Sequence, residues 1–240
     1  MEEKIKIEVL FPEFGNLFGD TGNIRYLQKC IPEAEIIYTS IDEEPKFLSE
    51  DINLIYLGPL TERAQEIVIK KLMPYKEKIE ELIENNASFL FTGNAVEVLG
   101  KYIENEDGSQ IDGLGIFDVF AKRDMMNRYN CMVLGNYEDI RIVGFKSQFT
   151  KMYGNNENTY FIETEMGIGI NDETKKEGIK KNNFIGTNIV GPLLILNPLF
   201  TKKLLKTIGV KEPKLAFEED IIEAYNIRLK KFEELKNNKK

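Results

Sequence analysis

Apolar residues along this chain follow two rhythms. In the N-terminal part, residues 5–11 alternate and are β-rich, 35–40 and 53–57 read as further strands, and 87–91 as a buried strand. Between them lie stretches with helical spacing. Residues 23–30 place Ile24 and Leu27 on one face and are closed by Pro32, and residues 61–85 read as helical with a break at Pro74. Strands separated by helices of this length predict an α/β fold, a mostly parallel sheet flanked by helices.

Further along, the rhythm shortens. Residues 113–122, 130–137 and 140–149 are β-rich runs with turn residues between them, predicting a mixed or antiparallel extension. Residues 152–161 read as a polar loop, and 172–183 (DETKKEGIKKNN) as a solvated turn. Residues 184–200 are the most apolar stretch, a strand passing through Gly191-Pro192 into a helix start. Residues 217–235 set Ile222, Tyr225, Leu229 and Phe232 on one face of an amphipathic helix, expected to dock on its own domain. The expected division is 1–210 as one domain and 211–240 as its docked C-terminal helix.

Composition narrows the class. A chain of 240 residues can bury one large core, and 42% hydrophobic with 30% charged residues is the balance of a soluble globular protein. No apolar run approaches a membrane span, and the N-terminus enters a strand pattern rather than a leader, so a cytoplasmic location is expected. A net charge of −8 with dispersed basic residues disfavours nucleic acid as a partner. Cys30 and Cys131 have no metal-type spacing. The chain has no histidine, which removes the commonest general base near neutral pH and the commonest metal ligand. Zinc-hydrolase and Ser-His-Asp readings fail at once, and no metal or other cofactor is expected.

Three strand-to-helix turns carry the candidate chemistry. The first, FPEFGNLFGDTGN (11–23), has glycines that would let backbone approach a ligand, but neither the dinucleotide spacing nor a Gly-Lys-Ser/Thr. Its plain reading is a tight connection capped by Asp20 or Thr21. In the second, LGPLTERAQ (57–65), backbone N–H groups beside Gly58 would form half of an oxyanion hole, against a plain helix start capped by Thr61. The third, FTGNAVEVLG (91–100), is a sharp turn of the kind that mounts a nucleophile at positive φ. It offers Thr92, Gly93 and Asn94, and Thr92 has no histidine to activate it.

Taken in order, these segments resemble class I glutamine amidotransferases of the CobB/CobQ-like branch, and within it the glutaminase subunits of lipid II isoglutaminyl synthase. The resemblance is carried by the loop from Phe11-Pro12-Glu13 to Gly19-Asp20-Thr21-Gly22-Asn23-Ile24 and by the elbow from Gly93 to Gly100. It continues through Gly113-Leu114-Gly115 and the block Gly186-Thr187-Asn188-Ile189-Val190-Gly191-Pro192-Leu193-Leu194 with Asn197-Pro198. It covers roughly residues 5–205.

That resemblance implies a flavodoxin-like amidotransferase fold in which an elbow cysteine attacks the glutamine carboxamide and a histidine moves the protons. Here the cysteine's place is held by Gly93 and the histidine's by Val190, which can neither form the covalent intermediate nor transfer a proton. Lys146, in Gly144-Phe145-Lys146, stands where the family has a glutamate. The resemblance further implies Arg128, Gly58 and Asn94 as substrate-binding positions and L-glutamine as the ligand. The implied partner is a Mur-ligase-like synthetase in cell-wall precursor amidation. The expectation is therefore a catalytically degenerate amidotransferase-like subunit, with Gly93 close to Val190 in apolar rather than protonatable surroundings. Two alternatives stand beside it: an active glutaminase with a relocated nucleophile, Cys30 or Cys131, and a glutamine-type amino-acid sensor.

Overall fold

The computed structural model of the protein describes residues 4–238. Its first part alternates β1 (Lys6–Leu10), α1 (Gly22–Cys30), β2 (Glu35–Thr39), β3 (Leu54–Leu57), α2 (Glu62–Leu72), α3 (Lys76–Glu84) and β4 (Phe89–Thr92). Pro74 lies in the single 3-10 turn Met73–Tyr75 that separates α2 from α3, because its ring removes a helical donor. Ten more strands follow: β5 (Tyr102–Glu104), β6 (Gln110–Asp112), β7 (Val119–Arg123), β8 (Tyr129–Tyr137), β9 (Ile140–Gln148), β10 (Thr150–Gly154), β11 (Ile162–Met166), β12 (Lys176–Glu177), β13 (Ile179–Lys181) and β14 (Phe184–Thr187). The chain ends in α4 (Leu193–Leu196), α5 (Pro198–Thr207) and α6 (Glu218–Asn237).

The central sheet has the order β13-β14-β4-β3-β1-β2, parallel throughout except for β13 at its edge. β3, β4 and β14 are buried at every position, which is why they read as unbroken apolar runs: helices cover both faces. Side chains alternate between those faces. Leu10, Ile55, Leu57, Phe89 and Phe91 pack with Val68, Leu72, Ile79 and Ile83 of α2 and α3. Ile7, Val9, Leu54, Tyr56 and Leu90 pack the other way, with Ile24 and Leu27 of α1, Leu193 of α4 and Leu204 of α5.

The extension forms two further four-stranded sheets, β10-β7-β5-β6 and β12-β11-β8-β9. Three local expectations need correction. The strand placed at 113–122 begins only at Val119, because the N–H groups of Gly113, Leu114 and Gly115 bond to the carbonyls of Lys101, Val98 and Gly100 instead of a ladder. The polar loop at 152–161 begins as β10, paired antiparallel with β7. The charged segment 172–183 is not merely a solvated turn: it contains β12 and β13, and Glu177 within it is fully buried. At the C-terminus, Tyr225 is buried against Leu134, Val143 and Met166, with Leu229, Phe232 and Leu235 packed beside it. The Tyr225 hydroxyl donates to the Arg141 carbonyl at 2.8 Å. Leu235, rather than Ile222, extends this apolar face of α6.

Candidate functional site

The carboxyl ends of β1, β3, β4 and β14 meet at one edge of the parallel sheet, the edge where α/β folds place their ligands. Register pairs Thr92 with Thr187, so β4 exits into Gly93 beside the exit of β14 into Asn188. Asn188 Nδ2 reaches the Gly93 carbonyl at 3.5 Å. Val190, two residues on, is buried and donates its N–H to the Phe145 carbonyl at 2.9 Å.

Gly93 sits at φ +58°, the left-handed turn expected of an elbow, and the next residues continue as a 3-10 segment, Gly93–Leu99, rather than an α-helix. A Cβ added at Gly93 would stand 2.6 Å from Pro59 Cβ and 3.0 Å from Pro59 Cγ. The proline ring therefore stands where a side chain at this position would begin.

Asn94 locks this arrangement. The Leu60 N–H donates to Asn94 Oδ1 at 2.8 Å, and Asn94 Nδ2 donates to the Leu60 carbonyl at 2.9 Å. The clasp ties the loop after β3 to the loop after β4 and consumes the residue-60 donor, while Pro59 has no N–H at all. Neither residue thus supplies the oxyanion donor expected beside Gly58. Gly58 itself is a close-approach position, because a Cβ there would collide with the Gly15 carbonyl.

Asp20 is the polar residue that spacing alone misplaced. It caps no helix. Wholly buried, its Oδ2 accepts from the hydroxyls of Tyr56 and Thr92, and its Oδ1 has no partner. Burial pushes its carboxyl above the usual range, opposed by the Thr92 and Tyr56 hydrogen bonds and by the nearby Gly191 N–H. Thr21, at the start of α1, makes no capping bond and instead donates its hydroxyl to Asn16 Oδ1 at 2.7 Å. Thr61 does cap α2, accepting from the Ala64 N–H at 3.2 Å. The surroundings expected to be apolar therefore contain an acid, held there because Tyr56 and Thr92 bring buried hydroxyls that need an acceptor. The Thr92 hydroxyl is committed to Asp20 and has no solvent exposure.

Lys146 is also fully buried. Its Nζ donates to the Gly169 carbonyl at 2.6 Å and lies 3.3 Å from Glu177 Oε1. Glu177 also accepts from the Thr187 hydroxyl at 2.8 Å and the Asn188 N–H at 2.9 Å. This lysine thus has its own buried counter-acid, and removing either member alone would strand a charge. Nearby, Glu97 accepts from Gln65 Nε2 at 2.9 Å and from the Thr150 hydroxyl, and burial pushes its carboxyl up to about 7.

These loops enclose a cleft of about 230 Å³ lined by Phe18, Pro59, Gly93, Asn94, Arg128 and Asn188, among others. Arg128 is exposed, its guanidinium 4.4 Å from the centre of the Phe149 ring. The structure so brings together Arg128, Gly93 and Asn94, while Gly58 and Val190 do not line this cleft. Gln148 Oε1 and Asn188 Oδ1, from two residues of its wall, have no partner. Neither cysteine reaches it. Cys30 Sγ accepts from the Ala216 N–H at 3.3 Å with its thiol pushed up by burial, and Cys131 packs within β8. A larger open groove beside Ile5, Ile31 and Asn53 lies at the opposite ends of the strands.

A positive-φ elbow at the carboxyl edge of a covered parallel sheet is the architecture of α/β proteins that present a reactive group at that turn. This chain belongs to the CobB/CobQ-like glutamine amidotransferase domain family, whose match spans residues 6–195. It is 29% identical over 193 residues to the lipid II isoglutaminyl synthase (glutamine-hydrolyzing) subunit GatD of Staphylococcus aureus, covering 80% of this chain and 79% of that protein. It is 25% identical over 228 residues to the subunit of the same name from Streptococcus pneumoniae, covering 91% and 87%. Two solved structures share the fold. One glutamine amidotransferase has a TM-score of 0.57 at 13% identity, covering 85% of this chain and 99% of its own. Another, from Thermotoga maritima, has a TM-score of 0.51 at 14% identity, covering 97% and 86%.

Proposed function

We propose that this chain is an amidotransferase-like subunit that does not hydrolyse glutamine and acts by engaging a Mur-ligase-like synthetase in lipid II amidation. The observation that carries the reading is the Pro59 ring packed where a residue-93 side chain would stand, its Cβ only 2.6 Å from the point a residue-93 Cβ would occupy. The space beside Gly93 is filled by Pro59, and the neighbouring backbone donor is bonded to Asn94. Both similar GatD proteins are named as subunits of lipid II isoglutaminyl synthase, and the match over most of their length supports the same assembly and pathway here. A relocated cysteine has no support, since neither Cys30 nor Cys131 lines the cleft.

The test is glutamate release from L-glutamine by the purified chain, alone and together with a co-expressed Mur-ligase-like synthetase. Release at the level of a no-protein blank in both samples, with the two proteins co-eluting, is the expected result. Release above the blank overturns the reading.

A further inference from the structure

We propose that a second cleft, between β7, β10 and the turn leading into β8, binds a small ring-bearing phosphorylated molecule, a nucleotide or a sugar phosphate. This cleft, of about 220 Å³, adjoins the elbow cleft and shares Arg128, Phe149 and Thr150 with it. Its ligand does not follow from the proposed function, and either proposal can fail without the other.

Charge supplies the first argument. In a chain of net charge −8, four cations line this one cleft: Lys122, Arg123, Arg128 and Lys151. The single acid among the lining residues, Asp124, accepts from the backbone and side chain of Asn127. Arg128 makes no ion pair among the described residues and lies over Phe149. The pairs of Lys122 with Glu104 and of Lys151 with Asp172 are partly solvent-exposed, with one half-buried member each. Such pairs hold weakly and exchange readily for a better anion.

Arg123 supplies the second. Its side chain is only 7% exposed, and its terminal nitrogens bond to Glu66, Asn105 and Gln65. Its buried Nε–H has no partner. Arg123 is therefore a fixed cation behind the cleft wall, held in place by Glu66, and the anion-facing groups in front of it are Lys122, Lys151 and Arg128.

The walls supply the third. Lys151 Nζ lies 5.2 Å from the centre of the Tyr129 ring, and Lys122 Nζ 5.9 Å from that of Tyr153. Aromatic faces interleaved with cations suit a molecule with a planar or sugar ring attached to a group of several anionic oxygens. The volume takes a phosphate group and one ring, the rest of a nucleotide extending into the adjoining elbow cleft, and leaves no room for a polymer.

The experiment is calorimetric titration of the full chain with ADP, glucose 1-phosphate and inorganic pyrophosphate at low ionic strength. The expected result is saturable binding, tighter for a ring-bearing probe than for pyrophosphate, and the order of ADP and glucose 1-phosphate distinguishes the two sources. The double change Lys122→Gln/Lys151→Gln should weaken binding about tenfold, and Glu104→Gln/Asp172→Asn, which frees both lysines, should tighten it several-fold. Flat traces with all three probes overturn the proposal. So does affinity unchanged in the lysine variant, or pyrophosphate binding as tightly as either ring-bearing probe.

Discussion

At residue 93 the missing side chain and the proline facing it form one packed arrangement. Gly93→Cys should therefore cost stability twice, through overpacking of about 1–3 kcal/mol against Pro59 and through about 1–2 kcal/mol for a Cβ at positive φ. Pro59→Gly relieves only the first. In urea denaturation the double variant Gly93→Cys/Pro59→Gly should be more stable than the sum of the two single changes by about 1–2 kcal/mol. Strict additivity would mean that the ring does not fill the site. That the elbow carries a glycine and no thiol was legible from one position of the sequence. Pro59's role was not, because it read locally as a turn residue preset for its own loop, and only strand register brings it against Gly93. Asp20 was misread as a cap for the same reason: the hydroxyls it serves come from two other strands.

Among the elements, the segment Gly93–Leu99, helix α2 and strand β10 are joined through Glu97, Gln65 and Thr150. Because burial raises the Glu97 carboxyl to about 7, the folded state holds a proton that the unfolded chain has released above about 4.5. The stabilisation linked to that proton is fully present below about pH 4.5 and is lost as pH rises to about 7. Glu97→Gln, which imitates the protonated acid, should remove this slope. Its melting temperature relative to the parent should rise by several degrees between pH 5 and pH 8, corresponding to about 3 kcal/mol at most. An identical pH dependence in both proteins would place the titration elsewhere. The break between α2 and α3 was legible because Pro74 acts on its own helix. β12 and β13 were not, since a run rich in Lys and Glu looks solvated until Lys146, from β9, is seen to neutralise Glu177 inside the protein.

For the whole molecule, α6 closes the outer side of the β8–β9 sheet through Tyr225 and the apolar residues below it. Tyr225→Phe removes one hydrogen bond to the Arg141 carbonyl and should cost about 1 kcal/mol in urea denaturation. Tyr225→Ala also opens a cavity and should cost about 3 kcal/mol or more. Equal losses would mean that the ring contributes no packing. The alternation of apolar runs with helical spacing determined the parallel α/β core, and residue identity determined that elbow thiol and imidazole are both absent, because these properties are written in single positions and short periods. Tertiary structure decided the rest: the proline against Gly93, the Asn94 clasp on Leu60, the buried Lys146–Glu177 pair and the gathering of four cations around one cleft. Each of these depends on which strand ends lie side by side, and that is set by sheet order and register rather than by spacing along the chain.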